Sequence, residues 1–213
     1  MPRGGAALLA LHHVDPSELP SLRGVQITIA CDVDNPLTGP SGAAAVYAPQ
    51  KGAGRAEVAL LDRALTRWAD LVADATGREL RGNRGAGAAG GVGFTGLALL
   101  GAQLRPGIDL MLELLDFADH LQGVDLVIVG EGSLDQQSLH GKAPVGVARA
   151  ATGSRVVAVC GRALIDDAAL AQVGICAVYS LRDLESDQHT SMTNAAALLE
   201  QVGRRIAAEQ LRP

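Results

Sequence analysis

Lysine is scarce in this chain: of its 18 basic residues only Lys51 and Lys142 are lysines, and the remainder are arginines. Arginine therefore serves for ordinary surface charge, so a lysine points to a place where a compact ammonium is wanted, as it is for phosphate. The plainer reading is two incidental surface lysines, and it weighs more on Pro49-Gln50-Lys51-Gly52 than on His140-Gly141-Lys142-Ala143. Upstream of Lys142 runs Glu131-Gly132-Ser133-Leu134-Asp135-Gln136-Gln137-Ser138, and Pro144 just beyond it sets a helix start. A loop with two carboxylates, a lysine and the free N–H groups of a helix start can hold Mg²⁺ and phosphate together. Equally, Asp135 and Ser138 are the residue types that cap helical turns, with Glu131 simply solvated. Local chemistry leaves the two readings open.

A second acidic stretch, Asp32-Val33-Asp34-Asn35-Pro36-Leu37, follows an apolar run and could hold a metal or a hydroxyl. Asp and Asn before Pro are also ordinary turn residues that bond their own backbone. Gly85-Ala86-Gly87-Ala88-Ala89-Gly90 fits the dinucleotide pattern GxGxxG, but Arg78 to Arg84 before it are polar, so the strand that pattern needs is missing. Gly87 and Gly90 instead belong to a glycine cluster that opens a helix, suited to a phosphate or to close helix packing. The five histidines have no ligand spacing. Neither lysine sits in a Walker loop, and there is no GxSxG elbow.

These residues need a scaffold, and the apolar pattern supplies one. Val25–Cys31, Val124–Gly130, Arg155–Cys160 and Ile175–Ser180 are apolar on successive residues, as strands buried on both faces are. Helical periodicity marks Ala56–Ala75, Gly96–Leu104, Ile108–Leu121, Pro144–Ala151, Asp166–Gln172 and Asn194–Leu211. Strand and helix alternate, so the fold class is α/β. Residues 122–213 read as a Rossmann-like unit, a parallel sheet with flanking helices carrying the Gly130-Glu131-Gly132 to Gly141-Lys142 loop. Residues 1–121 read as a glycine-rich segment forming part of a second α/β domain. In such open sheets ligands gather at the C-terminal ends of the strands, which is where the loop after Val124–Gly130 lies.

Composition narrows the partners. With 213 residues, 48% hydrophobic and only 2% aromatic, the core is built of Ala, Val, Leu and Ile. A net charge of -5 argues against a nucleic-acid binder, which needs a clustered positive surface, and favours a small-molecule partner. Cys31, Cys160 and Cys176 are odd in number and lie in apolar runs, as reduced thiols of a cytoplasmic protein do. Neither a signal peptide nor an apolar run of the roughly 18 residues expected of a membrane span is visible.

Four motifs in order, Cys31-Asp32-Val33-Asp34-Asn35-Pro36-Leu37-Thr38-Gly39, Pro49-Gln50-Lys51-Gly52-Ala53, Gly85 to Gly91, and Gly130-Glu131-Gly132 through Gly141-Lys142, resemble the bacterial type I glycerate kinases. The resemblance runs from about Gly24 to Ala208. It implies transfer of the ATP γ-phosphate to glycerate, commonly giving 2-phosphoglycerate, with ATP and Mg²⁺ as cofactors and a cleft between two α/β domains as the site. It further implies that Asp32, Asp34, Lys51, Glu131, Asp135, Gln137 and Lys142 line that cleft. Within that set, Glu131 and Asp135 suit Mg²⁺ or hydroxyl activation and Lys142 a phosphate clamp. Ser133 stands where the family often shows a basic residue. The family's N-terminal elements, among them an Asp-Ser-Phe-Lys strand, have no counterpart, so the resemblance implies the C-terminal part of such an enzyme. The alternative expectation is a non-catalytic fragment or split subunit that binds nucleotide or anion, assembling with a separate N-terminal half or as a homo-oligomer.

Overall fold

The structure is a computed structural model that describes residues 4–136, 138–140 and 142–211. It is mixed α/β, with parallel strands flanked by helices, and the chain divides into two compact units, 1–107 and 108–213. Residues 108–121, grouped by the sequence pattern with the first segment, pack with the second unit.

In the first unit, β1 (Thr28–Ala30) pairs in parallel with β2 (Gln103–Arg105), Ile29 opposite Leu104. Between them come α1 (Ala43–Tyr47), α2 (Arg55–Thr76) and α3 (Val92–Leu99). The long helix α2 starts cleanly because Glu57 Oε2 accepts the Gly54 N–H at 2.7 Å, and it stops at Gly77, whose φ of 70° lies in the left-handed region. Its buried face, Leu65, Ala69 and Val72, meets Leu37, Ala86 and Phe94 in a core rich in small side chains. Helix α3 was expected to run to Leu104. It ends at Leu99 because Gly101 turns the chain at φ 63°, freeing Gln103–Arg105 to pair with β1.

The second unit opens with α4 (Gly107–Leu114) and α5 (Phe117–His120) and then builds a parallel sheet of order β3-β4-β5: Leu126–Leu134, Arg155–Ala163 and Ala177–Ser180. Helix α6 (Ala143–Ala150) connects β3 to β4 and α7 (Asp167–Gln172) connects β4 to β5; α8 (Gln188–Thr193) and α9 (Ala195–Gln210) follow. Alternation along β4 sorts two cores. Val156, Ala158 and Cys160 pack with Val145, Ala148 and Leu170 of α6 and α7, while Val157 packs with Tyr179, Val202 and Ile206 on the α9 side. At about 25 cal/mol per Å² of apolar surface, each fully buried Val or Leu here contributes roughly 1.5–3 kcal/mol.

One difference from the expected strands bears on chemistry. Strand β3 does not stop at Gly130 but continues through Glu131-Gly132-Ser133-Leu134, with Glu131 opposite Cys160 and Ser133 opposite Arg162. Glycine makes this possible: a Cβ on Gly161 would lie 2.6 Å from the Gly132 carbonyl oxygen.

Candidate functional site

The C-terminal end of β3 and the start of α6 gather the principal candidates. Glu131 lies on the strand, Asp135 and Ser138 on the turn after it, and Lys142 is the N-cap of α6, with its carbonyl accepting the N–H groups of Val145 and Gly146. Pro144 fits the first turn, where its missing N–H costs nothing. The helix sits close because a Cβ on Gly146 would fall 2.6 Å from Ile108. The Lys142 ammonium reaches both carboxylates, 3.5 Å from Glu131 Oε1 and 3.7 Å from Asp135 Oδ1. All three side chains are partly open to solvent, between 21% and 39% exposed, so the group is reachable by a ligand.

Ser138 organises the group from beneath and is fully buried. Its Oγ accepts the Asp135 N–H at 3.2 Å and donates to Glu131 Oε2 at 2.9 Å. Its own N–H donates to Asp135, to the carbonyl at 2.8 Å and to Oδ1 at 3.2 Å. One serine thereby fixes the carboxylates of Glu131 and Asp135: Glu131 turns its other oxygen, Oε1, toward the ammonium, while Asp135 Oδ1 faces both the Ser138 N–H and the ammonium. The sequence pattern assigned Ser138 at most a capping part; its burial under Glu131 follows from the extension of β3 and was not visible beforehand. Gln137 lies outside the described residues.

Among the described residues no set of three or more His, Cys, Asp or Glu is placed to hold a metal by itself. The pair Glu131 and Asp135 nevertheless fits Mg²⁺, which is commonly held by one or two carboxylates together with substrate phosphates rather than by an all-protein cage.

The first unit places its candidates differently. Asp32 Oδ1 accepts the Gly107 N–H at 2.7 Å. Asp34 forms a two-point pair with Arg84, 2.6 Å and 3.1 Å, at the surface. Gly87 donates its N–H to the Asn35 carbonyl at 2.9 Å, and a Cβ there would meet the Pro36 oxygen at 2.3 Å, so its role in the structure is close packing of two backbone segments. Gly90 and Lys51 come together instead: both line a cavity of about 200 Å³ with Tyr47, Ala48, Leu61 and Leu65. The Lys51 side chain is exposed and makes no ion pair among the described residues. Ala89, the chain neighbour of Gly90, has φ 50°, a left-handed backbone that is costly outside glycine.

Comparison with known proteins gives this arrangement a family. A model described as the glycerate kinase family matches residues 1–211. A glycerate kinase of Bacillus subtilis (strain 168) is 45% identical over 208 residues, which cover 96% of this chain and 54% of that one. A glycerate 2-kinase of Escherichia coli (strain K12) is 41% identical over 181 residues, 84% of this chain and 48% of that one. Among solved structures, a putative glycerate kinase 2 from Salmonella typhimurium LT2 aligns with a TM-score of 0.68 and 38% identity, covering 95% of this chain and 56% of its own. The chain thus spans about half the length of these relatives. With the family model matching residues 1–211 and these relatives 41% and 45% identical over 84% and 96% of it, the chain belongs to the glycerate kinase family.

Proposed function

We propose that this chain carries phosphoryl-transfer machinery of a kinase that moves the γ-phosphoryl group of ATP to a hydroxyl of glycerate, giving 2-phosphoglycerate and ADP. The observation that carries the reading is the Lys142 ammonium set between Glu131 and Asp135 beyond a parallel strand, on a chain whose family is that of glycerate kinases. Phosphoryl transfer asks little covalent chemistry of a protein; it asks for position and charge. In this reading Lys142 clamps a phosphate oxygen, and Glu131 and Asp135 would hold Mg²⁺ brought in with the nucleotide. The ion supplies neutralisation of phosphate charge. The glycerate oxygen attacks the γ-phosphorus, the bond to the bridging oxygen of the β-phosphate breaks, ADP departs, and the hydroxyl proton passes to a carboxylate of this pair. Ser138 keeps both carboxylates aimed while this happens.

Residues of the first unit take supporting places: Lys51 and Gly90 at their shared cavity, with Asp32 and Asp34 after β1, are assigned to substrate binding, and Gly87 to the packing that shapes that region. A cytoplasmic setting, where ATP is at hand, suits this reading. The test is ADP release from MgATP with D-glycerate, followed by a coupled assay on the 213-residue chain and on Lys142→Ala. Turnover abolished by Lys142→Ala supports the reading. Turnover untouched by it moves the chemistry away from this cluster, and a folded chain with no turnover at all rejects catalysis by this chain on its own.

A further inference from the structure

Glu131, Asp135 and Lys142 together carry a formal charge of -1, so apart from any Mg²⁺ brought in with the nucleotide Lys142 is the single cation of this group facing a phosphate. Strand register brings a second protein cation to the same end of the sheet. Ser133 lies two residues beyond Glu131 on β3, hence on the same face, and its partner across the sheet is Arg162 on β4. The Arg162 Nε donates to Ser133 Oγ at 3.0 Å. That bond ties an exposed guanidinium to the end of the sheet through one nitrogen only. Its other two nitrogens make no hydrogen bond or ion pair among the described residues. A tethered guanidinium with its Nη1/Nη2 edge free is pre-organised for a phosphate, because the usual entropy of fixing a long side chain is already spent.

We infer that Arg162 is a phosphate-binding residue of this site, its free guanidinium edge receiving a phosphoryl oxygen of the nucleotide beside Lys142. The inference rests on the reading of the Glu131, Asp135 and Lys142 cluster as a nucleotide-phosphate site. With Arg162 included, the formal charge of the protein groups rises to zero. Arg162 was not singled out by sequence, since it is one arginine among many and only the parallel register brings it beside Ser133.

The test is isothermal titration calorimetry of the 213-residue chain with MgADP and with Mg²⁺ and AMP-PNP, on wild type, Arg162→Gln, Arg162→Lys and Lys142→Ala. Loss of charge-assisted hydrogen bonds to a phosphate corresponds to roughly tenfold weaker binding or more. Arg162→Gln is expected to weaken AMP-PNP binding by about that factor, and Arg162→Lys nearly as much, with unchanged thermal melts. Wild-type affinity in Arg162→Gln overturns the inference; wild-type affinity in Arg162→Lys overturns the two-pronged contact in favour of charge alone. If Lys142→Ala weakens binding while Arg162→Gln does not, the nucleotide site stands and the Arg162 assignment falls. A wild-type chain that binds neither nucleotide removes the site itself and the assignment with it.

Discussion

The hydroxyl of Ser138 points its hydrogen at Glu131 Oε2, 2.9 Å away, because its lone pair already accepts the Asp135 N–H. The Ser133 carbonyl, at 3.4 Å, is the weaker of the two acceptors within reach. Removing this hydroxyl takes a hydrogen bond from a carboxylate oxygen and from a backbone N–H at once. Ser138→Ala is therefore expected to lower folding stability by about 1–3 kcal/mol, the cost of losing two hydrogen bonds, one of them to a charged group. Urea denaturation with an unchanged slope would read that loss directly. Ser138→Thr keeps the oxygen but adds a methyl to a site with no exposed surface, so it should recover only part of the stability.

Lys142 holds its ammonium 3.5 Å and 3.7 Å from single oxygens of two different carboxylates, a geometry that suits a point charge. Arginine is planar and prefers to bind one carboxylate with two nitrogens, so Lys142→Arg is not conservative here. It should draw the guanidinium onto one acid and unbalance the pair. If the chain turns over, kcat should fall on the order of a hundredfold, the usual loss when one preorganised electrostatic group is displaced. Steady-state rates with MgATP and glycerate would decide, and a rate near wild type would show that only net charge matters.

The α/β class and the outline of the second unit could be read from sequence because Val124–Gly130, Arg155–Cys160 and Ile175–Ser180 are continuous apolar runs, and all three contribute to the parallel sheet. What escaped was set by partners rather than by local pattern. Gln103–Arg105 has the look of a helix end until Gly101 turns it toward β1. Glu131-Gly132-Ser133 has no strand propensity of its own and is extended only because β4 runs alongside to Ala163. The residue types of the candidate cluster were legible, a lysine and two acids near a strand end. Their common anchor Ser138 and the neighbour Arg162 were not, since burial and cross-strand register leave no trace in spacing.

Two glycines separate packing from propensity. Gly87 has φ -77° and ψ -7°, a conformation alanine adopts freely, so only space opposes a side chain there. A Cβ would approach the Pro36 oxygen to 2.3 Å, and backbone cannot yield as a side-chain tip can. Gly87→Ala should therefore destabilise by about 1–3 kcal/mol, the usual cost of overpacking. Gly203, inside α9 with nothing within 4 Å of its Cβ position, should do the opposite, with Gly203→Ala gaining about 0.5–1 kcal/mol from helix propensity. Thermal melts of the two variants should shift in opposite directions; equal shifts would sink the packing assignment of Gly87.

The three thiols should differ sharply toward an aqueous disulfide reagent. Cys160 is 2% exposed between β4 and the α6 core, and burial, assisted by nearby Asp183 and Glu131, pushes its thiol up to about 11. At pH 8 it is almost wholly protonated and unreachable, whereas Cys176 is exposed. Native titration at pH 8 should modify Cys176 first and Cys160 only on unfolding. The same shift has a consequence for stability. In the unfolded chain the thiol ionises near its ordinary 9.0, so between about 9 and 11 the unfolded state has lost a proton that the folded state keeps. Fewer bound protons on the unfolded side means that stability falls as pH rises through this window. Tyr47 and Tyr179, both raised chiefly by burial, act in the same direction at higher pH. Cys160→Ala should flatten the decline of the melting temperature between pH 9 and 11 relative to wild type; an unchanged slope would assign the alkaline loss to the tyrosines instead.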